Sequence, residues 1–350
     1  MRPQFPASTG MAAFVQKAEA MTTVGRVARL FLLAAGLIVL GILVWRNDPA
    51  SLLQSVRQLS WRLLIVVAFP FALVNLLDTL GWRFAFRRNG VPICTLFSAR
   101  LAGEAFNLTT PTASIGGEAV KAWLVRRHVG YDESFPSVIV AKTTITIAQG
   151  LLLLLGLSFA WLLLPHDSPL LRAMVWLLVL EVLAVAVFVV AQVSGALGGG
   201  GRALARVPWL THLAGRLGRV GDSLAHFYRT EPARLTLSIL FHFLGWLLGA
   251  LEAWLILNLL GVEVSLITAT VIEAFSTAIR FATFMVPASL GALEGGHLAV
   301  FAALGLGASA GMSFSLVRRL REATWIGVGL LALAADGHTP IRTAPARPDS

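Results

Sequence analysis

Six stretches, near residues 27–45, 61–82, 134–164, 170–193, 235–260 and 309–335, stay apolar for about the 20 residues a helix needs to cross a hydrocarbon core. Two more, near 93–110 and 264–286, are equally apolar but run straight into interrupted sequence. A chain built this way has few folds open to it. Backbone in lipid must satisfy its own hydrogen bonds, so spans are helices or closed barrels. Runs this long and continuous are helical. Charged residues make up 13% of the chain, about half the share of a soluble domain. The expected fold is all-α, a polytopic helical membrane protein.

The net charge of +10 assigns orientation rather than nucleic-acid binding. Arg83, Arg87, Arg88 and Arg100 follow the second span, and Lys121, Arg126 and Arg127 precede the third. Arg202, Arg206, Arg216, Arg219, Arg229 and Arg234 fill the linker 194–232. Positive-inside places these segments and both termini in the cytoplasm, with Arg46, Arg57 and Arg62 as an outer minority. The expected location is the inner membrane of a bacterium. Residues 1–26 read as a cytoplasmic extension, 27–336 as one transmembrane domain and 337–350 as a tail. The run 27–45 lacks an A-x-A site and reads as a retained anchor rather than a signal peptide, with Met21 an alternative start.

The segment PTASIGGE, residues 111–118, interrupts the apolar pattern between two cytoplasmic basic clusters. It therefore enters the membrane and returns as a broken, re-entrant hairpin, or lies on the bilayer surface. Non-helical backbone at membrane depth needs protein or water around it. The interruption recurs as VPASLGALEGG from Val286. Pro111 and Pro287, Glu118 and Glu294, and Lys142 and Arg318 are each 176 residues apart. Segments 61–164 and 235–336 thus read as inverted repeats, giving about six full spans plus two broken hairpins. Inverted repeats with interrupted helices form a transporter architecture, with the site where the repeats meet.

Charges within the apolar runs mark that site. Lys142, Arg318, Arg319 and Arg321 lie well inside long helices, while Glu104, Glu118, Glu273, Arg280 and Glu294 sit on or beside the broken segments. An intramembrane charge is costly unless paired or hydrated. The set predicts a polar cavity, richer in cations along the full helices, with Glu322 a partner for Arg318 at i,i+4. Arginine's planar fork suits phosphate, and salt bridging between helices is the alternative use of the same residues.

Other features carry less. Leu213, Leu217, Val220, Leu224 and Phe227 recur at helical spacing opposite Arg216, Arg219 and Arg229. This amphipathic helix lies on the inner leaflet or packs against the bundle. GGGG at 198–201 reads as a hinge. Cys94 is the single cysteine, and His166-Asp167 cannot close a metal site, so neither metal nor cofactor is expected. There is no P-loop.

GEAFNLTTPTASIGGEAVKAWLVRR resembles the membrane region of the lysylphosphatidylglycerol synthases and the related stand-alone flippase-like proteins. Asn107, Pro111, Gly116, Gly117 and Glu118 match that family's N-x-x-x-P-x-x-x-x-G-G-E core. Pro287, Gly291 and Glu294 match its P-x-x-x-G-x-x-E signature, although Ala288, Ser289 and Ala292 stand where a further glycine is usual. T-P-T-A-S-I-G-G-E with K-A-W-L also looks like the branch associated with hopanoid biosynthesis. The resemblance implies movement of a phospholipid or hopanoid-type lipid between leaflets, without the soluble aminoacyl-transfer domain. It implies a membrane lipid with a polar or anionic head group as ligand, and lipid-biosynthesis enzymes as partners. The binding set is then Asn107, Pro111, Gly116, Gly117, Glu118, Lys142, Arg280, Pro287, Gly291, Glu294, Arg318 and Arg319, with no catalytic residue. The competing readings are a head-group enzyme using Glu118 or Glu294 as base, or a scaffold for lipid synthesis.

Overall fold

The computed structural model describes residues 61–110, 116–194 and 211–337, with positions 38, 42 and 45. The expected span 27–45 (apart from those positions), the extension 1–26, the hinge 198–201, Pro111 and the tail from 338 lie outside the described residues. Positions 38, 42 and 45 are helical, and among the other described residues ten helices run in order: α1 (Arg62–Phe84), α2 (Ile93–Thr109), α3 (Gly116–Val129), α4 (Tyr131–Leu163), α5 (Pro169–Val193), α6 (Thr211–Thr230), α7 (Pro232–Leu259), α8 (Leu266–Ala282), α9 (Ala292–Ala303) and α10 (Ala308–Gly337). One 3-10 turn, Pro287–Ser289, stands between α8 and α9. No strand occurs among the described residues.

α4, α5 and α7 are long and apolar enough to cross a membrane. α5 turns Trp176, Leu183, Val187 and Val190 outward, each well exposed. A helix apolar on its outer face is suited to lipid and poorly suited to water. α1 and α10 reach spanning length but carry Asp78 in the one and Arg318, Arg319, Arg321 and Glu322 in the other. Those charges face inward, as intramembrane charges must.

The offset of 176 organises the helices. α1 to α4 and α7 to α10 follow one plan: a long helix, a 17-residue helix, a break, a short helix, then a long helix. The packing follows the same plan. α1 lies on α7, its own counterpart, while α2 packs on α10 and α4 on α8, the pairs a two-fold axis would exchange. Glycine permits both exchanged contacts. A Cβ on Gly329 of α10 would stand 2.3 Å from the Leu101 carbonyl oxygen of α2, and one on Gly156 of α4 would stand 2.3 Å from the Ala274 Cβ of α8. Small residues at such crossings let backbones close where lipid supplies no hydrophobic drive. Arg234 of α7 donates to the carbonyls of Arg83 and Phe86, satisfying the frayed end of α1.

α5 and α6 lie between the two units and have no counterpart in the offset. α6 is the expected amphipathic helix, and its C-terminal half packs on the bundle. Leu224 and Phe227 are buried in a cluster with Trp82, Leu124 and Val138, while Arg219 stays exposed beside Asp132. This is the packing alternative: that half contacts α4 and α5.

Candidate functional site

Each broken hairpin is closed by a side chain that does a backbone's work. The first N–H groups of a helix have no intrahelical acceptor. In the first unit the Gly117 N–H donates to Asn107 Oδ1 at 2.7 Å, so the end of α2 caps the start of α3. Asn107 Nδ2 donates to Glu118 Oε1 at 3.4 Å. The two helices meet so closely that a Cβ on Gly117 would stand 1.9 Å from the Gly103 carbonyl oxygen. Asn107, Gly117 and Glu118 are therefore one closure. Gly116 opens α3.

In the second unit Glu294 Oε2 accepts from the Gly291 N–H at 2.7 Å, so α9 caps itself. Pro287 opens the 3-10 turn, and Ala288 (φ 49°) and Ser289 (φ 50°) are held in the left-handed region that residues with a Cβ seldom enter. Arg319 holds them. Its Nη1 donates to the Ala288 carbonyl oxygen at 2.9 Å and to Glu322 at 2.6 Å, and its Nε to Glu294 at 2.6 Å.

The remaining charges form a network through the bundle. Arg318 grips Glu273 with both terminal nitrogens. Arg280 Nη1 lies 3.0 Å from Glu322, and Arg321 Nη1 lies 2.5 Å from both oxygens of Glu252. Arg100 pairs with Asp78, which lies 2.8 Å from His242 Nδ1. Lys121 Nζ sits 3.1 Å from both oxygens of Glu118, and Lys142 Nζ 3.8 Å from one of them.

Three expectations change. Arg318 does not use Glu322; Glu273 on α8 is nearer, and Arg280 and Arg319 occupy Glu322. Arg100 and Lys121 are not loop charges that set orientation: both are largely withdrawn from solvent and bound to carboxylates, because α2 and α3 run into the bundle. Arg87, Arg88 and Arg127 remain exposed. Along the full helices the cavity is not richer in cations: Lys142, Arg318 and Arg321 line it beside Asp78, Glu252 and Glu322. Arg100, Lys121, Lys142, Arg280, Arg318 and Arg321 face this cavity of about 830 Å³, which Asp78, Glu104, Glu118, Glu252, Glu273 and Glu322 line in equal number. Sequence reading passed over Asp78 and Glu252, although an acid inside an apolar run is itself a signal.

Of the predicted set, Asn107, Glu118, Lys142, Arg280, Pro287 and Arg318 line this cavity. Gly116, Gly117, Gly291, Glu294 and Arg319 do not; Gly117, Gly291, Glu294 and Arg319 shape the breaks behind its wall.

The two units furnish the cavity differently. The Arg280–Glu322 pair of the second unit corresponds, 176 residues earlier, to Glu104 and Thr146. The Arg318–Glu273 pair corresponds to Lys142 and Phe97. Glu104 lines the cavity with no hydrogen bond or ion pair to any described residue. Lys142 is 49% exposed and has only a share of Glu118.

Among the described residues no cluster of His, Cys, Asp and Glu is arranged to hold a metal. A sequence profile described as the lysylphosphatidylglycerol synthase TM region matches residues 27–331. A UPF0104 membrane protein of Methanothermobacter thermautotrophicus is 24% identical over 309 residues, covering 83% of this chain and 89% of that protein. No solved structure matches. With its two capped breaks and the profile spanning nearly all its helices, the chain belongs to the lysylphosphatidylglycerol synthase transmembrane-region family.

Proposed function

We propose that the protein moves a polar lipid between leaflets, its head group passing through the cavity while the tails stay in the bilayer. The head group carries both a phosphate and an amine. The observation that supports this is the open pair in the first unit: Lys142, a cation without a counter-ion of its own, and Glu104, a carboxylate without a cation, on the wall of one cavity. A lysine ammonium is a compact partner for phosphate, and a free carboxylate accepts a primary ammonium. The two units, 61–164 and 235–336, lie in opposite senses across the bacterial inner membrane with both termini cytoplasmic, so that rocking one against the other exposes the cavity alternately.

An enzymatic reading has less to work with. Glu118 is held by Lys121 and Asn107, and Glu294 by Arg319 and the Gly291 N–H. Neither presents a free base.

The test is head-group accessibility in reconstituted vesicles. Fluorescent phosphatidylethanolamine is expected to equilibrate between leaflets faster than in protein-free vesicles, and faster than the phosphatidylglycerol analogue. Equal rates with and without protein overturn the reading. Mass spectrometry of co-purified lipid is expected to find an amine-bearing phospholipid; a hopanoid in its place moves the substrate to that class.

A further inference from the structure

α5 belongs to neither repeated unit and has the most continuously apolar sequence of the described helices. At its midpoint stands Glu181. The side chain is 1% exposed, and neither carboxyl oxygen has a hydrogen-bond partner. Opposite it, α4 carries Gly150, whose missing Cβ would lie 3.8 Å from Glu181 Cδ. The acid therefore faces bare backbone, not a cation.

Several charged groups on the surrounding helices are engaged elsewhere, while Arg172 of α5, Glu133 of α4 and Arg229 of α6 stand in the end turns of their helices and Asp222 and His226 of α6 are exposed. On α4, Lys142 lies beside Glu118 and Asp132 beside Arg219 of α6. On α8, Glu273 binds Arg318 and Arg280 binds Glu322. On α9, Glu294 binds Arg319, and His297 lies between Ser276 and Ser315. On α6, Tyr228 donates to Gln192 of α5. Burial of an ionised carboxylate with no partner is so unfavourable that the group takes a proton instead.

Its neighbours reach the cavity. Leu180, Ala184 and Val185 of α5 and Gln149 of α4 line it, flanking the seam that encloses Glu181. A small displacement along this seam would bring water and Lys142's field to the carboxyl, and ionisation would then cost far less.

We propose that Glu181 is a proton-binding site that couples lipid movement to proton movement, holding its proton while occluded and releasing it when the α4–α5 seam opens to the cavity. The coupling rests on the transport reading; the titration does not.

Two measurements separate them. Infrared difference spectra of the purified protein between acid and alkaline pH are expected to show a protonated-carboxyl band that Glu181→Gln removes and Glu181→Asp shifts. In vesicles with a pH gradient of one unit, one coupled proton biases the leaflet distribution of the phosphatidylethanolamine probe by up to about tenfold. The wild type is expected to show this bias, Glu181→Asp to retain part of it, and Glu181→Gln to show none. Gln copies the neutral acid, so the variant is expected to fold. A band unchanged in Glu181→Gln overturns the proton site whatever the lipid does. Lipid movement that ignores the gradient in the wild type overturns the coupling alone. A titrating band in a protein that moves no lipid overturns the transport reading and the coupling with it.

Discussion

The two units share a helix plan and differ in how they neutralise charge. In the second, Arg280, Arg318, Arg319 and Arg321 each meet a carboxylate, and Glu252, Glu273, Glu294 and Glu322 are all used. In the first, the corresponding skeleton keeps Glu118 with Lys121 but leaves Glu104 and Lys142 open. One repeated scaffold has thus been furnished twice, as a network in which every arginine named meets a carboxylate and as a wall with unpaired charge. Paired charges have less to offer a charged ligand than unpaired ones. The unpaired charges belong to the less complete unit.

The largest way to break this comparison is Arg318→Gln, which strands Glu273, a carboxylate 2% exposed. Removing one partner of a buried pair costs about 3–5 kcal/mol. The variant is expected to unfold markedly earlier in detergent, with Glu273→Gln added to it restoring much of the loss. A thermal scan showing Arg318→Gln as stable as wild type would mean that the second unit is not a structural network.

Lys142→Gln is the matching change in the first unit. It leaves Glu118 in the hands of Lys121, so stability is expected to hold within about 1 kcal/mol. Loss of one charge-assisted contact, about 1.5–3 kcal/mol, is expected to weaken probe affinity by about one to two decades. A transport assay at wild-type rate would remove Lys142 from the site.

A finer test converts one unit into the other. Glu104→Arg with Thr146→Glu places the Arg280–Glu322 pair at the corresponding positions of the first unit. Filling the open valence is expected to change stability by no more than about 1 kcal/mol while halting lipid movement. Retained movement would show that Glu104 does not read the head group.

The mildest test leaves energetics alone. A cysteine at position 167 is expected to react with an impermeant label from outside, and one at position 216 only from inside. The reverse pattern turns the molecule over in the membrane.

Much of this was legible in the chain. The runs at 134–164, 170–193 and 235–260 are α4, α5 and α7 with ends shifted by a few residues, because apolar length alone specifies a span. The offset of 176 located both breaks and matched Lys142 to Arg318. What stayed hidden was pairing. Arg318 and Glu273 are 45 residues apart on different helices, and only the α8–α10 arrangement tells that Glu273, rather than the nearby Glu322, is the partner. Asn107 was found by likeness to a motif, but its reason, an orphan N–H on Gly117, is geometric. Glu181 was a visible acid in an apolar run, yet its meaning depends on what does not surround it.

The exchanged contacts, α2 on α10 and α4 on α8, also bear on how the molecule is assembled. Helices enter a membrane in chain order, so α2 and α4 are in place before the surfaces that will cover them exist. Their bare faces must wait for α8 and α10, and the fold closes only when the last long helix arrives. A lone four-helix unit would carry the same bare faces, and its natural complement is another copy of itself turned over. Made as two separate polypeptides, the halves should find each other in the bilayer, while either half alone should be degraded.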